Sequence, residues 1–199
     1  MSVTLHTNLG DVKIELFVEQ APTACANFLA LLASGAYDGT KFHRNIPGFM
    51  IQGGDPTGTG KGGDSIWGGA FGDEFHPSIE HSDRGMVSMA NKGPNTNKSQ
   101  FFITYAEALH LDNVYTCFGK VIQGFDVLDK MEVRTLQLEY KLRRTKASFY
   151  SIYLQAEPVG EKNRPVNDII LQSATIHANP VAHKSVVLGI PENLIQSGV

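Results

Sequence analysis

The chain has 199 residues, of which 42% are hydrophobic, and its formal net charge is −3. This size fits one globular domain with short appendages, and the weak charge argues against bulk affinity for nucleic acid. No apolar run approaches the roughly 20 residues that span a bilayer, and the N-terminus lacks the apolar core of a secretory signal. We therefore expect a protein that is not secreted, with no membrane association and no direct nucleic-acid binding.

The N-terminal stretch predicts a hairpin followed by a helix. Apolar residues alternate on both sides of a turn at 8–10, which is typical of two paired strands. Pro22 then suits the first turn of a helix, and Gly35 is placed to end it. The chain has only two cysteines, Cys25 and Cys117. They indicate no disulfide framework and fit a reducing compartment, where we expect both to be core residues.

The next stretch, FHRNIPGFMIQGGD, places one cation, Arg44, between two apolar runs. Side chains alternate along a strand, so Met50 and Gln52 share one face, while Phe49 and Ile51 take the other unless the Pro-Gly turn re-aims one of them. The arrangement predicts a site for an apolar ligand with one polarisable carbonyl, without a nucleophile. The other interpretation is a hairpin of core residues whose arginine forms a surface ion pair.

The rest of the chain predicts a long loop, short strands and a second helix. The glycine-rich segment 53–72 contains the letters of a dinucleotide fingerprint, but no helical pattern follows, so we predict a surface loop. Phe101 and Phe102 must point to opposite sides, one to the core and one to a groove. Many short strands without βαβ alternation favour an antiparallel barrel or sandwich. The histidines have no metal-ligand spacing, so no metal site is predicted. The predicted strands are 85–89, 101–105, 115–122 and 169–176, with a short helix at 124–131.

Three longer motifs are FHRNIPGFMIQGGDPTGTGKGG, MANKGPNTNKSQFFIT and HLDNVYTCFGKV. Together they resemble the cyclophilins, a family of peptidyl-prolyl cis-trans isomerases. The likeness covers Ser2 to about Met131 and resumes near Arg164 to Pro180, and it is closest to the subfamily called peptidyl-prolyl isomerase-like 3. The resemblance implies an eight-stranded antiparallel closed barrel capped by two α-helices, a single domain over 1–180, and no cofactor.

The resemblance also implies an active site. Arg44 matches the family's catalytic arginine, and Phe49 and Gln52 are predicted to act with it. His110 stands where many members carry tryptophan and Tyr115 where they carry histidine, which puts the family's cyclosporin sensitivity in doubt here. The other interpretation of both is an ordinary half-buried residue. The predicted substrate-binding residues are Met50, Ala90, Asn91, Gln100, Phe102, His110, Leu111 and Tyr115.

The implied activity is peptidyl-prolyl isomerisation that assists protein folding or remodelling. Gln52 and Gln100 are predicted to hold the guanidinium of Arg44, and Asn91 to pair with the substrate backbone. The alternative is a scaffold module of a splicing complex that binds proline-containing peptides with little turnover. The subfamily implies association with the pre-mRNA splicing machinery. We thus expect proline-containing client segments and spliceosomal proteins as partners, a monomer, and a nuclear or cytoplasmic location.

Two segments depart from the family pattern. An insertion at about 134–157 begins with five basic residues and one acid and continues with aromatic and aliphatic residues. It is either a patch for a partner protein or RNA, or a loosely packed insertion that arises from splicing of the message. The extension at 181–199 is either a floppy terminus or a docking segment.

Overall fold

The computed structural model describes residues 1–132, 163–165 and 167–177, so the predicted insertion at about 134–157 and the tail at 181–199 lie outside the described residues. Within the described ranges, no helix is long and apolar enough to cross a membrane. The elements are β1 Ser2–Thr7, β2 Gly10–Leu16, α1 Pro22–Ala33, β3 Thr40–Lys41, β4 Arg44–Ile46, β5 Met50–Gly53, β6 Met86–Met89, β7 Phe101–Thr104, a 3₁₀ turn Leu109–Leu111, β8 Cys117–Gln123, α2 over 125–132, and β9 Ile170–Ile176.

The described strands form one antiparallel sheet in the order β3-β9-β1-β2-β8-β6-β7-β5-β4. The predicted antiparallel, mainly β architecture with two helices is confirmed. The finer prediction of eight strands in a closed barrel is wrong, because the described ranges contain nine strands and the sheet they form is open between its end strands β3 and β4. Segment 53–72 contains no helix or strand apart from the last residue of β5, as the loop prediction requires.

The ninth described strand arises because β3 and β4 are two short strands with a two-residue break between them. β3 and β4 stand at opposite ends of the sheet but are separated in the chain only by Phe42 and His43. The N–H of Phe42 donates to the Ile169 carbonyl at 2.9 Å, whereas that of Asn45 donates to the Asn163 carbonyl at 2.8 Å. The chain changes partners at this point, so what could be one strand becomes two, and the sheet ends are joined by the chain rather than by a paired ladder.

The main core lies on the inner face of the sheet. Phe28 of α1 is fully buried, and its ring centroid lies 5.2 Å from that of Phe101 and 5.0 Å from that of Phe118. Such tilted and edge-on aromatic contacts add to the free energy gained by burial alone. Cys25 and Cys117 are buried free cysteines, as predicted. The helix therefore seals the inner face, which leaves the outer face available for a site.

The N-terminus of α1 is capped by a residue distant in sequence. Ala21 occupies the N-cap position and offers no side-chain acceptor. Instead, the N–H groups of Thr23 and Ala24 donate to Oε1 and Oε2 of Glu74, each at 2.9 Å. A carboxylate here satisfies two free N–H groups and interacts favourably with the positive end of the helix.

Replacing Glu74 with alanine should lower the free energy of unfolding by about 1 kcal/mol, the usual cost of a lost N-terminal cap. The measurement is urea unfolding at neutral pH. Glu80→Ala is the matched control, because Glu80 is exposed and should change the value by less than about 0.5 kcal/mol. Equal effects of the two variants would show that Glu74 does not cap the helix.

Candidate active site

The register of neighbouring strands aligns side chains on the outer face of the sheet. Arg44 of β4 is opposite Gln52 of β5, and Gln52 is opposite Phe102 of β7. Residues directly opposite each other share a face. The alternate row, which includes Ile51 and Ile103, points into the main core, where both are almost fully buried. Strand alternation therefore places a cation, an amide and an aromatic ring side by side on the outside.

These side chains line a pocket on the outer face of the sheet. Its floor is apolar, because Met50, Phe102 and Leu111 are buried and form a small cluster separate from the main core. Every residue of the lining belongs to the predicted site, although the roles assigned to them stay predictions. The lining consists of Arg44, Phe49, Met50, Gln52, Ala90, Asn91, Phe102, Leu111 and Tyr115.

Phe49 reaches the pocket through the turn between β4 and β5. The Phe49 N–H donates to the Ile46 carbonyl at 3.0 Å, and Gly48 adopts a positive φ of 73° that favours glycine. This turn re-aims Phe49 toward the face of Met50. The exposed His110 stacks on the Phe49 ring, with centroids 5.5 Å apart and an interplanar angle of 26°. His110 therefore lies beside the pocket, behind Phe49, and not in its lining.

The Phe102 ring is held by two neighbours. Tyr115 meets it edge-on, with centroids 5.4 Å apart and an interplanar angle of 89°. His81 lies nearly parallel to it at 6.3 Å and bonds through Nδ1 to Asp112 at 2.6 Å and through Nε2 to Ser88 at 2.7 Å. Sequence reasoning missed His81, because its partners come from separate parts of the chain and no local spacing marks it.

The polar side of the pocket differs from the prediction. Gln52 Nε2 donates to Gln100 Oε1 at 2.9 Å, and Gln100 Nε2 donates to the Gly62 carbonyl at 2.9 Å. Neither glutamine bonds the exposed Arg44, whose guanidinium forms no hydrogen bond or ion pair in the part of the chain that the structure describes. Instead, the side-chain amide of Gln52 donates to that of Gln100, which donates to the carbonyl of Gly62. Gln100 therefore supports the pocket from behind Gln52, and the cation is available to a ligand.

The rim of the pocket is formed by Ala90 and Asn91. The Ala90 N–H donates to the Gln100 carbonyl at 2.9 Å. The Asn91 side chain donates to the Val114 carbonyl at 2.8 Å and accepts from the Gly93 N–H at 3.3 Å. Because these contacts occupy the side-chain amide, the backbone of this segment is the part that could pair with a peptide.

The pocket lining contains no cysteine, serine or histidine. Burial raises the pKa of the nearby Cys117 thiol to about 11, so this thiol stays protonated, and it lies outside the lining. Among the described residues, no group of three or more histidine, cysteine, aspartate or glutamate side chains could hold a metal ion. The arrangement can bind an apolar group and donate hydrogen bonds to a polar atom beside it.

A single carboxylate organises the loop behind Gln100. Asp55 is fully buried and accepts hydrogen bonds from Thr57, from the Gly60 N–H at 2.6 Å and from the Gly62 N–H at 3.1 Å. Burial raises the pKa of Asp55, but these hydrogen bonds outweigh it and hold the pKa at about 2. Asp55 therefore fixes Gly62, whose carbonyl positions Gln100 beside the pocket. Sequence reasoning missed this role.

Replacing Asp55 with asparagine should lower the free energy of unfolding at pH 7 by about 1–3 kcal/mol. The reason is that the NH₂ group of asparagine is a donor and cannot accept the hydrogen bonds that the loop N–H groups now donate to the carboxylate. The pKa of Asp55 is lower in the folded chain, so the carboxylate stabilises the fold above its ordinary pKa of 3.8 and loses this effect as the pH falls toward 2. Urea unfolding between pH 5 and pH 2 should show the gap between wild type and variant closing. A gap that stays constant would contradict this account.

Comparisons with known proteins agree with this geometry. Residues 2–149 match the family described as cyclophilin type peptidyl-prolyl cis-trans isomerase. The chain is 58% identical over 182 residues to peptidyl-prolyl cis-trans isomerase CYP18-1 of Arabidopsis thaliana, covering 92% of this chain and 99% of that protein. It is 55% identical over 183 residues to peptidyl-prolyl cis-trans isomerase-like 3 of Homo sapiens, with the same two coverages of 92% and 99%.

A solved structure is similar as well. The cyclophilin type peptidyl-prolyl cis-trans isomerase of Cryptosporidium parvum, crystallised in the presence of the dipeptide Ala-Pro, has a TM-score of 0.76 and 46% identity. The match covers 90% of this chain and all of that one. The fold, the outer pocket and these likenesses define the class: the chain belongs to the cyclophilin-type peptidyl-prolyl cis-trans isomerases. Within that family, relatives named peptidyl-prolyl cis-trans isomerase-like 3 in human and chicken, at 55% and 56% identity, confirm the predicted likeness to this subfamily.

Proposed function

We propose that this protein is a peptidyl-prolyl cis-trans isomerase that accelerates rotation about Xaa-Pro bonds in client proteins. The observation that carries the proposal is the guanidinium of Arg44, which has no partner among the described residues and lines a pocket with an apolar floor. A cation beside an apolar pocket floor suits a proline ring that adjoins a polar amide. Membership of the cyclophilin family supports the same activity.

The reaction needs no covalent chemistry. The amide C–N bond has partial double-bond character, and rotation about it has a barrier of about 18–20 kcal/mol. Uncatalysed isomerisation of an Xaa-Pro bond takes tens to hundreds of seconds. A pocket can therefore accelerate the reaction by binding the twisted amide more tightly than either planar isomer. The lack of a nucleophile in the lining is consistent with this mechanism.

The pocket floor anchors the proline ring. Met50, Phe102 and Leu111 present apolar surface, and Phe49 closes one side. A ring held there stays still while the residue before proline rotates with its carbonyl. Backbone pairing at Asn91 would orient the peptide as an added extended segment. Binding energy from these contacts can then be used to favour the rotating geometry.

Arg44 acts on the rotating bond itself. In the planar amide the nitrogen lone pair is delocalised, whereas in the twisted state it is localised on a pyramidal nitrogen that accepts a hydrogen bond. A guanidinium aimed at this nitrogen stabilises the twisted state and offers much less to the planar one. The Gln52–Gln100 pair borders the cation and keeps this side of the pocket polar and ordered.

A protease-coupled assay tests the proposal. The substrate is a chromogenic Xaa-Pro tetrapeptide that the protease cleaves only in its trans form. We expect catalysed turnover well above the uncatalysed rate. The alternative is a scaffold that binds proline-containing peptides with little turnover, and no feature of the described pocket favours it. Peptide binding in a calorimeter together with negligible turnover would support that alternative and overturn the isomerase proposal.

We further propose, from the resemblance to the isomerase-like 3 subfamily, that the clients include spliceosomal proteins and that the protein is a monomer in the nucleus or cytoplasm. Proline-containing segments of such clients would occupy the pocket described above. Sedimentation velocity at micromolar concentration tests the monomer. Proximity labelling in cells with the wild-type protein and with a pocket variant tests the partners, and labelling of splicing proteins that depends on the pocket is the expected result.

A further inference from the structure

A carboxylate outside the pocket holds the turn that shapes it. Glu132 is the last described residue of α2, and its Oε1 accepts the N–H of Gly48 at 2.7 Å. Gly48 lies in the turn between β4 and β5, directly before Phe49. Its N–H therefore fixes the segment that aims Phe49 into the pocket and joins the strand of Arg44 to that of Gln52.

The carboxylate is itself fixed from behind. Glu132 Oε2 accepts from Arg84 Nη1 at 2.8 Å, and the Glu132 side chain is only 17% exposed. Arg84 also donates to the Tyr105 carbonyl at 2.9 Å, and its guanidinium lies over the Tyr105 ring at 5.3 Å. The Tyr105 N–H in turn donates to the Phe49 carbonyl at 2.8 Å. The turn is thus held from two sides by one connected network.

A second pair of contacts ties the same helix to β4. The Asn45 side chain donates to the Met131 carbonyl at 2.8 Å and accepts from the Tyr105 hydroxyl at 2.8 Å. Asn45 directly follows Arg44, and β4 stands at the end of the sheet, where it pairs with β5 alone among the described strands. An end strand has a neighbouring strand on one side only, so the end of α2 supplies much of the restraint that keeps Arg44 in register.

We propose that Glu132 is a positioning residue for isomerisation: through the Gly48 N–H it fixes the β4–β5 turn, and so sets the placement of Phe49 and Arg44. The inference rests on the proposed function. Glu132 is not among the residues that line the pocket. Its effect passes through the hairpin, because small displacements of a donor reduce the stabilisation of a transition state steeply.

Glu132→Ala should lower kcat for the Xaa-Pro tetrapeptide about tenfold, with a smaller change in KM. Glu132→Gln, which keeps a carbonyl oxygen for the Gly48 N–H, should stay within about threefold of wild type. Asp129→Ala is the matched control, because Asp129 lies on the same helix and also bonds Arg84, at 2.7 Å, but does not contact the turn. It should leave kcat unchanged. If Glu132→Ala does not fold, Glu132→Asp replaces it, since the shorter side chain loses the reach to Gly48.

A double-mutant cycle separates positioning from plain stability. In an Arg44→Ala background, Glu132→Ala should lower the remaining rate, measured by NMR exchange of the peptide isomers, by less than about twofold. A purely structural role would lower the isomerisation rate by the same factor in the wild-type and Arg44→Ala backgrounds. Three results would overturn the inference: full additivity, a kcat for Glu132→Ala near that of wild type, or an equal loss in Asp129→Ala. Wild type without turnover would instead overturn the proposed function, so the two failures are distinguishable.

Discussion

Replacing Arg44 with alanine should lower kcat/KM for an Xaa-Pro tetrapeptide by about 10²–10³, the usual loss on removing one preorganised donor. The loss should fall mainly on kcat, because the guanidinium acts on the twisted amide rather than on the planar substrate. Since the side chain has no partner in the described ranges, the free energy of unfolding should change by less than about 0.5 kcal/mol. The protease-coupled assay and urea unfolding measure the two quantities.

Lys41→Ala is the matched control for charge. Lys41 is an exposed cation on β3 that pairs with Asp168 at 2.6 Å and does not line the pocket. The substitution removes the same charge, and kcat/KM should stay within about twofold of wild type, because exposed ion pairs contribute little. An unchanged kcat/KM in Arg44→Ala would refute the role of this arginine. Equal losses in both variants would point to net charge rather than to a placed donor.

Alanine substitutions of two adjacent phenylalanines should have separate effects, one on the free energy of unfolding and the other on kcat/KM. Phe101 and Phe102 follow each other on β7 and point to opposite faces. Phe101→Ala should lower the free energy of unfolding by about 3–5 kcal/mol, because its fully buried ring packs edge-on against Phe28 and Phe42. Phe102→Ala should lower kcat/KM about 10–100-fold, because the pocket loses apolar surface that would hold the proline ring.

The comparison depends on measuring both quantities for both variants. Kinetics at low temperature, normalised to the folded fraction from urea unfolding, should leave Phe101→Ala close to wild type in kcat/KM. Phe101→Leu and Phe102→Leu serve the same purpose if either alanine variant unfolds, since leucine keeps more of the buried volume. If kcat/KM falls alike in both variants, the outer face of β7 does not form the substrate floor.

Local alternation explains why much of the pocket could be predicted. Met50 and Gln52 are two residues apart on β5, so they must share a face, and Ile51 between them must take the other. The structure has this arrangement, with Ile51 in the main core. The Pro-Gly pair also predicts a turn that can re-aim Phe49, because glycine permits the positive φ found at Gly48. Each of these inferences needs only neighbouring residues.

Pairings between distant segments could not be predicted in the same way. The two glutamines were expected to hold Arg44, but Gln52 bonds Gln100, and Gln100 bonds the carbonyl of Gly62. The partner of Gln100 depends on the position of Gly62, which Asp55 fixes through hydrogen bonds to its loop. The eight-strand count failed for a similar reason, because the change of partner at Phe42 is made by bonds to residues far along the chain.

The sequence alone is enough to predict the alternation of faces, the turn positions and the two helices. Through the cyclophilin motifs it also predicts the residues that line the pocket. The folded chain was needed to show that the nine described strands form an open sheet, that Glu74 caps α1, and that Glu132 holds the turn of Phe49. The two kinds of feature differ in the sequence distance between the residues that decide them. Which side of a strand a residue faces follows from its immediate neighbours, whereas the partner of a buried carboxylate or amide is chosen by the packing of segments that the chain brings together only on folding.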